Sequence, residues 1–239
     1  MNSVERLTAL EGALGYTFNN RDLAVSALTH PSAAEGKGVQ ASYERLEFLG
    51  DAVLGDIVAR EVFERFPDMD EGRLTDLKIA LVEGKMLSAR AEELGLKDLI
   101  LFGESELGTL GRGLRHALED VFEAIVGALY MDGGYDVAHD FVCRVLDPYM
   151  VPEQIERSMN PKTRLQEILQ SGRTRTTPTY RLESEDGPAH QRVFTSVALC
   201  GDFVVGRGTG SSKKESEGAA AADAIARIED AHGIVRPIV

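Results

Sequence analysis

The chain has 239 residues, a length that suits one large domain or two modest ones. No stretch approaches the roughly 18 apolar residues of a membrane span, and no signal segment follows Met1, so we expect a cytoplasmic protein without a membrane partner. The net charge of −13 argues at first sight against a nucleic-acid partner, and the distant Cys143 and Cys200, expected as small core residues, exclude a paired-cysteine zinc site.

The first 150 residues alternate apolar helical patterns with breaks that glycine and proline mark. No alternating strand pattern of useful length occurs among them. The stretch 103–113 is rich in glycine and predicts a surface loop before the last long apolar helix of this part. The pattern therefore predicts an all-α N-terminal domain.

One helix in this part carries a row of acids. Residues 43–54 read Tyr-Glu-Arg-Leu-Glu-Phe-Leu-Gly-Asp-Ala-Val-Leu. On a helix, Glu44, Glu47 and Asp51 fall within a sector of roughly 60°, and apolar residues cover most of the remaining surface. A row of carboxylates beside apolar surface is costly unless something positive meets it. Mg²⁺ suits this role because it prefers hard oxygen ligands.

A second apolar helix, at residues 116–130, carries Asp120 and Glu123 three positions apart on one face. Packing of the two helices would unite these acids with Glu47 and Asp51 in a four-carboxylate cluster. The alternative is that each acid is a solvated helix position or an exposed ion-pair partner, as Asp and Glu usually are. One acidic pair alone would favour that alternative, whereas two acidic rows on two apolar helices favour a metal site.

The pattern changes after residue 150. Residues 148–161 have a proline at each end and a polar interior, which indicates a linker. We therefore place the first domain at residues 1–150, the linker at 151–159 and a second domain at 160–232.

The second domain has a mixed pattern of helices and strands. An amphipathic helix comes first, three short segments with strand character follow, and an alanine-rich helix ends the domain. These five elements are predicted at residues 162–171, 179–184, 193–199, 202–208 and 212–229. The order α-β-β-β-α is the layout of a double-stranded-RNA-binding domain, a small α+β fold.

Charge is distributed unevenly between the two parts. Residues 1–158 carry 15 basic and 29 acidic residues, a balance of −14, whereas residues 159–239 carry 11 and 10, a balance of +1. The acids are thus concentrated in the helical part, where a metal site would need them. Because a local basic patch can bind nucleic acid on its own, the charge of the whole chain does not exclude an RNA partner.

Residues 44–51, Glu-Arg-Leu-Glu-Phe-Leu-Gly-Asp, resemble the signature of bacterial ribonuclease III, an endonuclease that acts on double-stranded RNA. The resemblance covers nearly the whole chain and ends in the double-stranded-RNA-binding domain. Further matching segments lie at residues 14–18, 27–30, 71–72, 80–82, 120–124 and 132–134. The resemblance implies an all-α N-terminal endonuclease domain, followed by the small α+β domain.

The resemblance also implies the chemistry, which is Mg²⁺-dependent hydrolysis of phosphodiester bonds, with Mn²⁺ able to substitute. It assigns the metal to four carboxylates, two of them (Asp51 and Glu123) also catalytic, and gives two further acids supporting roles: Glu47, Asp51, Asp120, Glu123, and then Glu44 and Glu71. The family works as a homodimer that leaves 5′-phosphates and two-nucleotide 3′ overhangs. It processes ribosomal, messenger and small RNAs. Phe48, Leu49 and Leu54 could form the dimer surface or could pack in the core.

In the second domain, the resemblance implies RNA contacts at the first helix, at a turn and at the start of the last helix. The residues are Thr163, Gln166, Glu167, His190, Lys213 and Lys214. At the last of these places, two lysines, free backbone N–H groups and the positive end of a helix dipole would meet phosphates. Taken alone, a pair of lysines is usually a solvated surface feature, and a single histidine in a turn is usually incidental.

Two other functions compete with the enzyme. One is a regulatory protein that binds double-stranded RNA without cleaving it. The other is a structural helical dimer with a regulatory RNA-binding tail. A binding protein would keep Lys213 and Lys214 but lack one or more of the acids. Because all six acids are present here, the sequence favours the endonuclease.

Overall fold

The structure is a computed structural model that describes residues 2–103, 110–158, 160–171, 175–188, 191–230 and 234–235. The chain divides into two compact units, Met1–Arg157 and Ser158–Val239. Within the described residues, we find no helix whose length and apolar content would let it cross a bilayer.

The first unit is helical, as the sequence predicts. Its α-helices are α1 (Ser3–Leu14), α2 (Arg21–Ala27), α3 (Glu44–Arg65), α4 (Glu71–Val82), α5 (Gly84–Glu93), α6 (Leu110–Gly133) and α7 (Tyr135–Leu146), and α8 (Glu153–Ser158) follows within the predicted linker. Short 3-10 turns lie at Pro31–Ala33, Leu96–Asp98 and Asp147–Tyr149. The loop predicted over residues 103–113 is wrong at its end, because α6 already begins at Leu110, while residues 104–109 lie outside the described part.

Helices α3 and α6 cross at the centre of this unit with their backbones almost in contact. A Cβ atom added to Gly50 would lie 1.8 Å from the carbonyl oxygen of Glu123, and one added to Gly127 would lie 2.3 Å from that of Leu46. Only glycine fits at either position, because real Cβ atoms do not approach this closely. Fully buried side chains of both helices surround the crossing: Leu54, Ile57, Val58, Val121, Phe122 and Ile125.

The three apolar residues considered for a dimer surface have different environments. Leu54 is completely buried, so for this residue the alternative of core packing is correct. Leu49 is partly buried. Phe48 is 83% exposed, which is unusual for a phenylalanine in a monomer. Of the three, Phe48 therefore offers the most apolar surface to a partner.

The second unit has the predicted order α-β-β-β-α. Its elements are α9 (Pro161–Ser171), β1 (Thr179–Asp186), β2 (Val193–Cys200), β3 (Phe203–Gly210) and α10 (Lys213–Asp230). The strands form one antiparallel sheet in the order β1-β2-β3. The core of this unit comprises Leu165, Leu169, Ala198, Cys200, Val205, Ala220, Ala221, Ala224, Ile225 and Ile228.

Glycines in β3 allow α10 to lie close to the sheet. A Cβ atom on Gly206 would lie 2.2 Å from the carbonyl oxygen of Ala220, and one on Gly208 would lie 2.2 Å from the Ala220 nitrogen. The small side chains of α10 meet these glycines, which explains why the last helix is rich in alanine. Ser216 of this helix is fully buried, and its hydroxyl lies 2.7 Å from that of Ser196.

The helix crossing generates a stability prediction. We expect Gly50→Ala to lower the free energy of unfolding by about 2–3 kcal/mol, because the methyl group forces α3 away from α6. Gly12→Ala is the matched control, since a Cβ atom there meets nothing within 4 Å. It should raise the stability by about 0.5–1 kcal/mol, as alanine does in an open helix position. Urea unfolding measures both; equal effects of the two substitutions would contradict the close crossing.

Candidate active site and nucleic-acid interface

Four predicted metal ligands lie on the two crossing helices. Glu47 and Asp51 belong to α3, and Asp120 and Glu123 belong to α6. Three of them are partly buried, whereas Asp51 is exposed. The close crossing brings these acids into one electrostatically coupled group.

The effect of this coupling on a pKa is largest at Glu123. Burial, together with the negative charges of four neighbouring acids, raises its pKa to about 8. In decreasing order of effect, these neighbours are Asp51, Glu119, Glu47 and Asp120. All four are carboxylates, so the charges with the largest effect on Glu123 all oppose its ionisation. A divalent cation would relieve this repulsion, and partly buried carboxylate oxygens are the ligands that Mg²⁺ accepts.

Burial also raises the pKa values of Glu47 and Asp120. For Glu47, the charge of Asp120 adds to the effect of burial, followed by that of Glu44. For Asp120, burial is partly offset by a hydrogen bond from Tyr43 and by the charges of nearby histidines. Glu47, Asp120 and Glu123 are therefore costly to ionise until a cation is present.

Tyr43 is a functional residue that the sequence reasoning missed. Its side chain is 3% exposed, and its hydroxyl donates a 2.9 Å hydrogen bond to Oδ2 of Asp120. The His30 ring packs edge-on against the Tyr43 ring, with 5.7 Å between the centroids. Tyr43 thus fixes the direction of the Asp120 carboxylate. The available signal was a tyrosine directly before the acidic helix, because a buried tyrosine hydroxyl usually finds a partner.

Glu119 is a fifth acid of the cluster, and the sequence reasoning did not single it out. Its negative charge contributes to the raised pKa values of Glu123 and Glu47. The Glu119 carboxylate lies close to Gly84, where an added Cβ atom would be 2.1 Å from Oε2. Nδ1 of His116 lies 3.6 Å from the same oxygen. Its position next to Asp120 in the sequence was the signal that could have identified it.

The two acids with predicted supporting roles lie in different places. Glu44 is exposed at the start of α3, where it accepts a 2.9 Å hydrogen bond from the Ser42 hydroxyl and adds to the repulsion on Glu47. Glu71 is exposed in the first turn of α4 and accepts a 3.1 Å hydrogen bond from Thr75. Of the two, Glu44 therefore acts electrostatically on the coupled group, whereas Glu71 is not among the groups that most perturb it.

A different set of side chains has the tightest spacing of potential ligand atoms. Among the described residues, three atoms on Glu61, His139 and Cys143 lie within 4.8 Å of one another. These residues belong to the later part of α3 and to α7, outside the acidic cluster.

In the second unit, Lys213 and Lys214 are exposed at the start of α10. The backbone N–H groups there are not all free, contrary to our expectation. The Ser212 hydroxyl accepts a 3.2 Å hydrogen bond from the Glu215 N–H, and Glu215 Oε2 accepts a 2.9 Å bond from the Ser211 N–H. These caps use donors that we had assigned to phosphate, so the lysines supply the main attraction for an anion.

The remaining predicted RNA contacts lie on α9 and on the β1–β2 turn. Thr163, Gln166 and Glu167 are exposed on α9, where they are accessible to a partner. His190 lies outside the described residues.

Comparison with known proteins gives matches over both units. The Ribonuclease-III-like family model matches residues 20–149, and the double-stranded RNA binding motif model matches residues 161–228. Ribonuclease 3 of Staphylococcus haemolyticus is 41% identical over 218 residues, 90% of this chain and 89% of that protein. Ribonuclease 3 of Symbiobacterium thermophilum is 42% identical over 214 residues, 89% of this chain and 90% of that protein.

Solved structures also match the first unit. The 2.2 Å crystal structure of the ribonuclease III nuclease domain from Campylobacter jejuni aligns with a TM-score of 0.55 and 36% identity. The alignment covers 62% of this chain and 97% of that chain.

The raised pKa of Glu123 generates a prediction about stability and pH. Between its ordinary value of 4.5 and about 8, the folded protein holds a proton that the unfolded chain has released. Stability from this group is therefore lost as the pH rises through that window. In chelator-treated protein, we expect the loss to be on the order of 2–4 kcal/mol.

The measurement is urea unfolding of the parent and Glu123→Gln proteins at pH 5, 6, 7 and 8. Glutamine has no proton to release, so the difference between the two proteins isolates the contribution of Glu123. This difference should favour the variant increasingly as the pH rises, and millimolar Mg²⁺ should reduce it by stabilising the parent. Parallel pH profiles for the two proteins would show that Glu123 is not perturbed.

Proposed function

Because the chain belongs to the ribonuclease III family and is a ribonuclease III-type endonuclease with a double-stranded-RNA-binding motif, we propose that it cleaves double-stranded RNA by Mg²⁺-dependent hydrolysis. We infer 5′-phosphate ends and two-nucleotide 3′ overhangs from the family resemblance. Ribosomal, messenger and small RNAs are the proposed substrates, and the cytoplasm is the proposed location. The observation that carries the proposal is the set of acids on the two crossing helices, where burial and the neighbouring negative charges together raise the pKa of Glu123 to about 8.

Each acid has a proposed role at this site. Glu47, Asp51, Asp120 and Glu123 would hold Mg²⁺, with Asp51 and Glu123 nearest to the reacting phosphate. Mg²⁺ held by these residues would supply an activated water, and a second ion would stabilise the leaving 3′-oxygen. The residues fit this ion because their donors are carboxylate oxygens, and Mn²⁺ should substitute since it shares this preference.

Side chains of the protein orient the proposed ligands, and keep one of them protonated, in the absence of a metal. The Tyr43 hydroxyl orients the Asp120 carboxylate by a hydrogen bond to Oδ2. Glu123 keeps its carboxyl proton at neutral pH while only acids surround it, and it releases that proton when a cation offsets their charge. Glu44 and Glu71 are proposed to act at the edge of the site, near the scissile strand or the subunit junction.

We propose that the active protein is a homodimer. Phe48 is 83% exposed on α3, close in sequence to the acids of the same helix. Leu49, the next residue, lines a groove with several other apolar side chains: Leu23, Leu46 and Met131. An exposed aromatic residue and an adjacent groove can be self-complementary about a two-fold axis. A further solved ribonuclease III nuclease domain from Campylobacter jejuni, with a TM-score of 0.55, is described as having a region involved in dimer formation.

The second unit would hold the duplex. A domain of this kind spans about 16 base pairs and contacts phosphates and 2′-hydroxyls instead of base edges. Lys213 and Lys214 are the proposed phosphate contacts, and Thr163, Gln166 and Glu167 are proposed to contact sugar edges from α9. His190 remains a prediction from the resemblance.

Cleavage by the acids is tested with Glu123→Gln in the full chain. We expect the variant to lose at least about 100-fold in the rate of duplex RNA cleavage, because it loses a metal ligand. Its affinity for the duplex in the presence of chelator should be unchanged. Glu92→Gln, an exposed glutamate of α5, is the control and should cleave at the parent rate. Substantial Mg²⁺-supported cleavage by Glu123→Gln would refute the assignment of the acids.

RNA binding by the lysines is tested with a double substitution. Lys213→Ala with Lys214→Ala should lower the slope of log affinity against log salt by about 1–2, because each lysine contacts one phosphate. The exposed pair Lys37→Ala with Lys97→Ala makes the same charge change in the first unit and should leave the slope nearly unaltered. At saturating duplex, both double variants should cleave at the parent rate. Normal binding with slow cleavage by the first would place the lysines in the catalytic geometry instead.

A further inference from the structure

Three side chains outside the acidic cluster converge between α3 and α7. Glu61 Oε1 lies 2.9 Å from His139 Nε2, and Cys143 Sγ lies 3.5 Å from the same nitrogen. His139 and Cys143 are four residues apart, on one face of α7, and Glu61 faces them from α3. We propose that these three side chains form a binding site for one transition-metal ion of the Zn²⁺ class.

The spacing of the donor atoms suits a single small ion. All three potential ligand atoms lie within 4.8 Å of one another. Zinc binds sulfur at about 2.3 Å and imidazole nitrogen or carboxylate oxygen at about 2.0–2.2 Å. Ligand atoms around one tetrahedral ion are therefore separated by roughly 3–4 Å. Small rotations of the side chains would place one ion between the three donors, with a fourth position left for water.

The type of donor excludes the hard cations proposed for the acidic cluster. Thiolate and imidazole ligands select zinc and related transition metals, whereas Mg²⁺ prefers oxygen. The two sites thus differ in chemistry and in place, and the proposal for this site does not rest on the function proposed above.

Neighbouring side chains support the three ligands. Arg65 binds the other oxygen of Glu61, Oε2, at 2.8 Å, so Oε1 is left to face His139. Asp140 Oδ1 lies 3.6 Å from Nδ1 of His139, on the opposite side of the ring from the proposed ligand nitrogen. This distance is too long for a hydrogen bond, so Asp140 contributes only negative charge beside the ring. Asp147 also contacts Arg65 and offsets its positive charge.

Protonation of the thiol sets the conditions for binding. Burial and the charge of Glu61 raise the pKa of Cys143 to about 11. The ion must therefore displace the thiol proton, and its affinity should increase as the pH rises. A bound ion would connect the later part of α3 to α7 and stabilise the first unit, since it would bind the folded chain only.

The experiment uses the full chain after removal of metals by a chelator, with Co²⁺ as the spectroscopic probe. We expect one Co²⁺ per chain to produce a thiolate-to-cobalt charge-transfer band in the near ultraviolet, and Zn²⁺ to remove it. Cys143→Ser should abolish the band. Cys200→Ser, which removes the buried thiol of the second unit, should retain it. Absence of the band in the parent, or its persistence in Cys143→Ser, overturns the proposal.

A second measurement keeps the test valid if one variant folds poorly. Competition with a chromophoric chelator gives the Zn²⁺ affinity of the parent, His139→Ala and Glu61→Gln, with Glu123→Gln as the control. His139→Ala and Glu61→Gln should each bind Zn²⁺ at least about tenfold more weakly than the parent. The Zn²⁺ affinity of the Glu123→Gln control should equal that of the parent. Equal affinities for the parent, His139→Ala and Glu61→Gln would show that these side chains form only a hydrogen-bonded cluster.

Discussion

The near-contact of two helix backbones is the constraint on which the catalytic unit depends. Gly50 and Gly127 leave no room for a Cβ atom at the crossing of α3 and α6. Any larger residue would push the helices apart and separate the acids that each of them carries. The same crossing supplies the centre of the apolar core. The unit thus obtains its stability and the arrangement of its acids from one packing arrangement.

The arrangement has an electrostatic cost that the proposed function explains. Burial and four carboxylates oppose the ionisation of Glu123 and raise its pKa to about 8. Selection for stability alone would not favour a carboxyl group whose ionisation is opposed in this way, whereas a site that must attract a divalent cation needs clustered carboxylates. The Tyr43 hydroxyl orients the Asp120 carboxylate through a single hydrogen bond, and it adds no positive charge to the site. In the proposed function, a divalent cation neutralises the repulsion among these acids.

Local patterns in the sequence predicted the helices, the three strands and the acidic rows on α3 and α6. Helical periodicity and the signature segment are properties of neighbouring residues, so they can be read from the sequence alone. Apart from the packing of the two acidic helices, contacts between distant segments were not predicted. Tyr43 meets Asp120 across 77 positions, and only tertiary packing brings them together. Leu54 had two open interpretations, since an apolar residue on a helix can face the core or a partner. The proximity of Cys143 to Glu61 was likewise not predicted, because the two residues lie on different helices.

We propose that the crossing of α3 and α6 assembles a carboxylate site for a divalent cation. Anomalous X-ray diffraction from crystals soaked in Mn²⁺ tests it most directly, because manganese scatters anomalously and should replace Mg²⁺. We expect an anomalous peak within coordination distance of carboxylates on both helices, including Asp51 and Glu123. A well-occupied peak elsewhere, with none between these two residues, would contradict it.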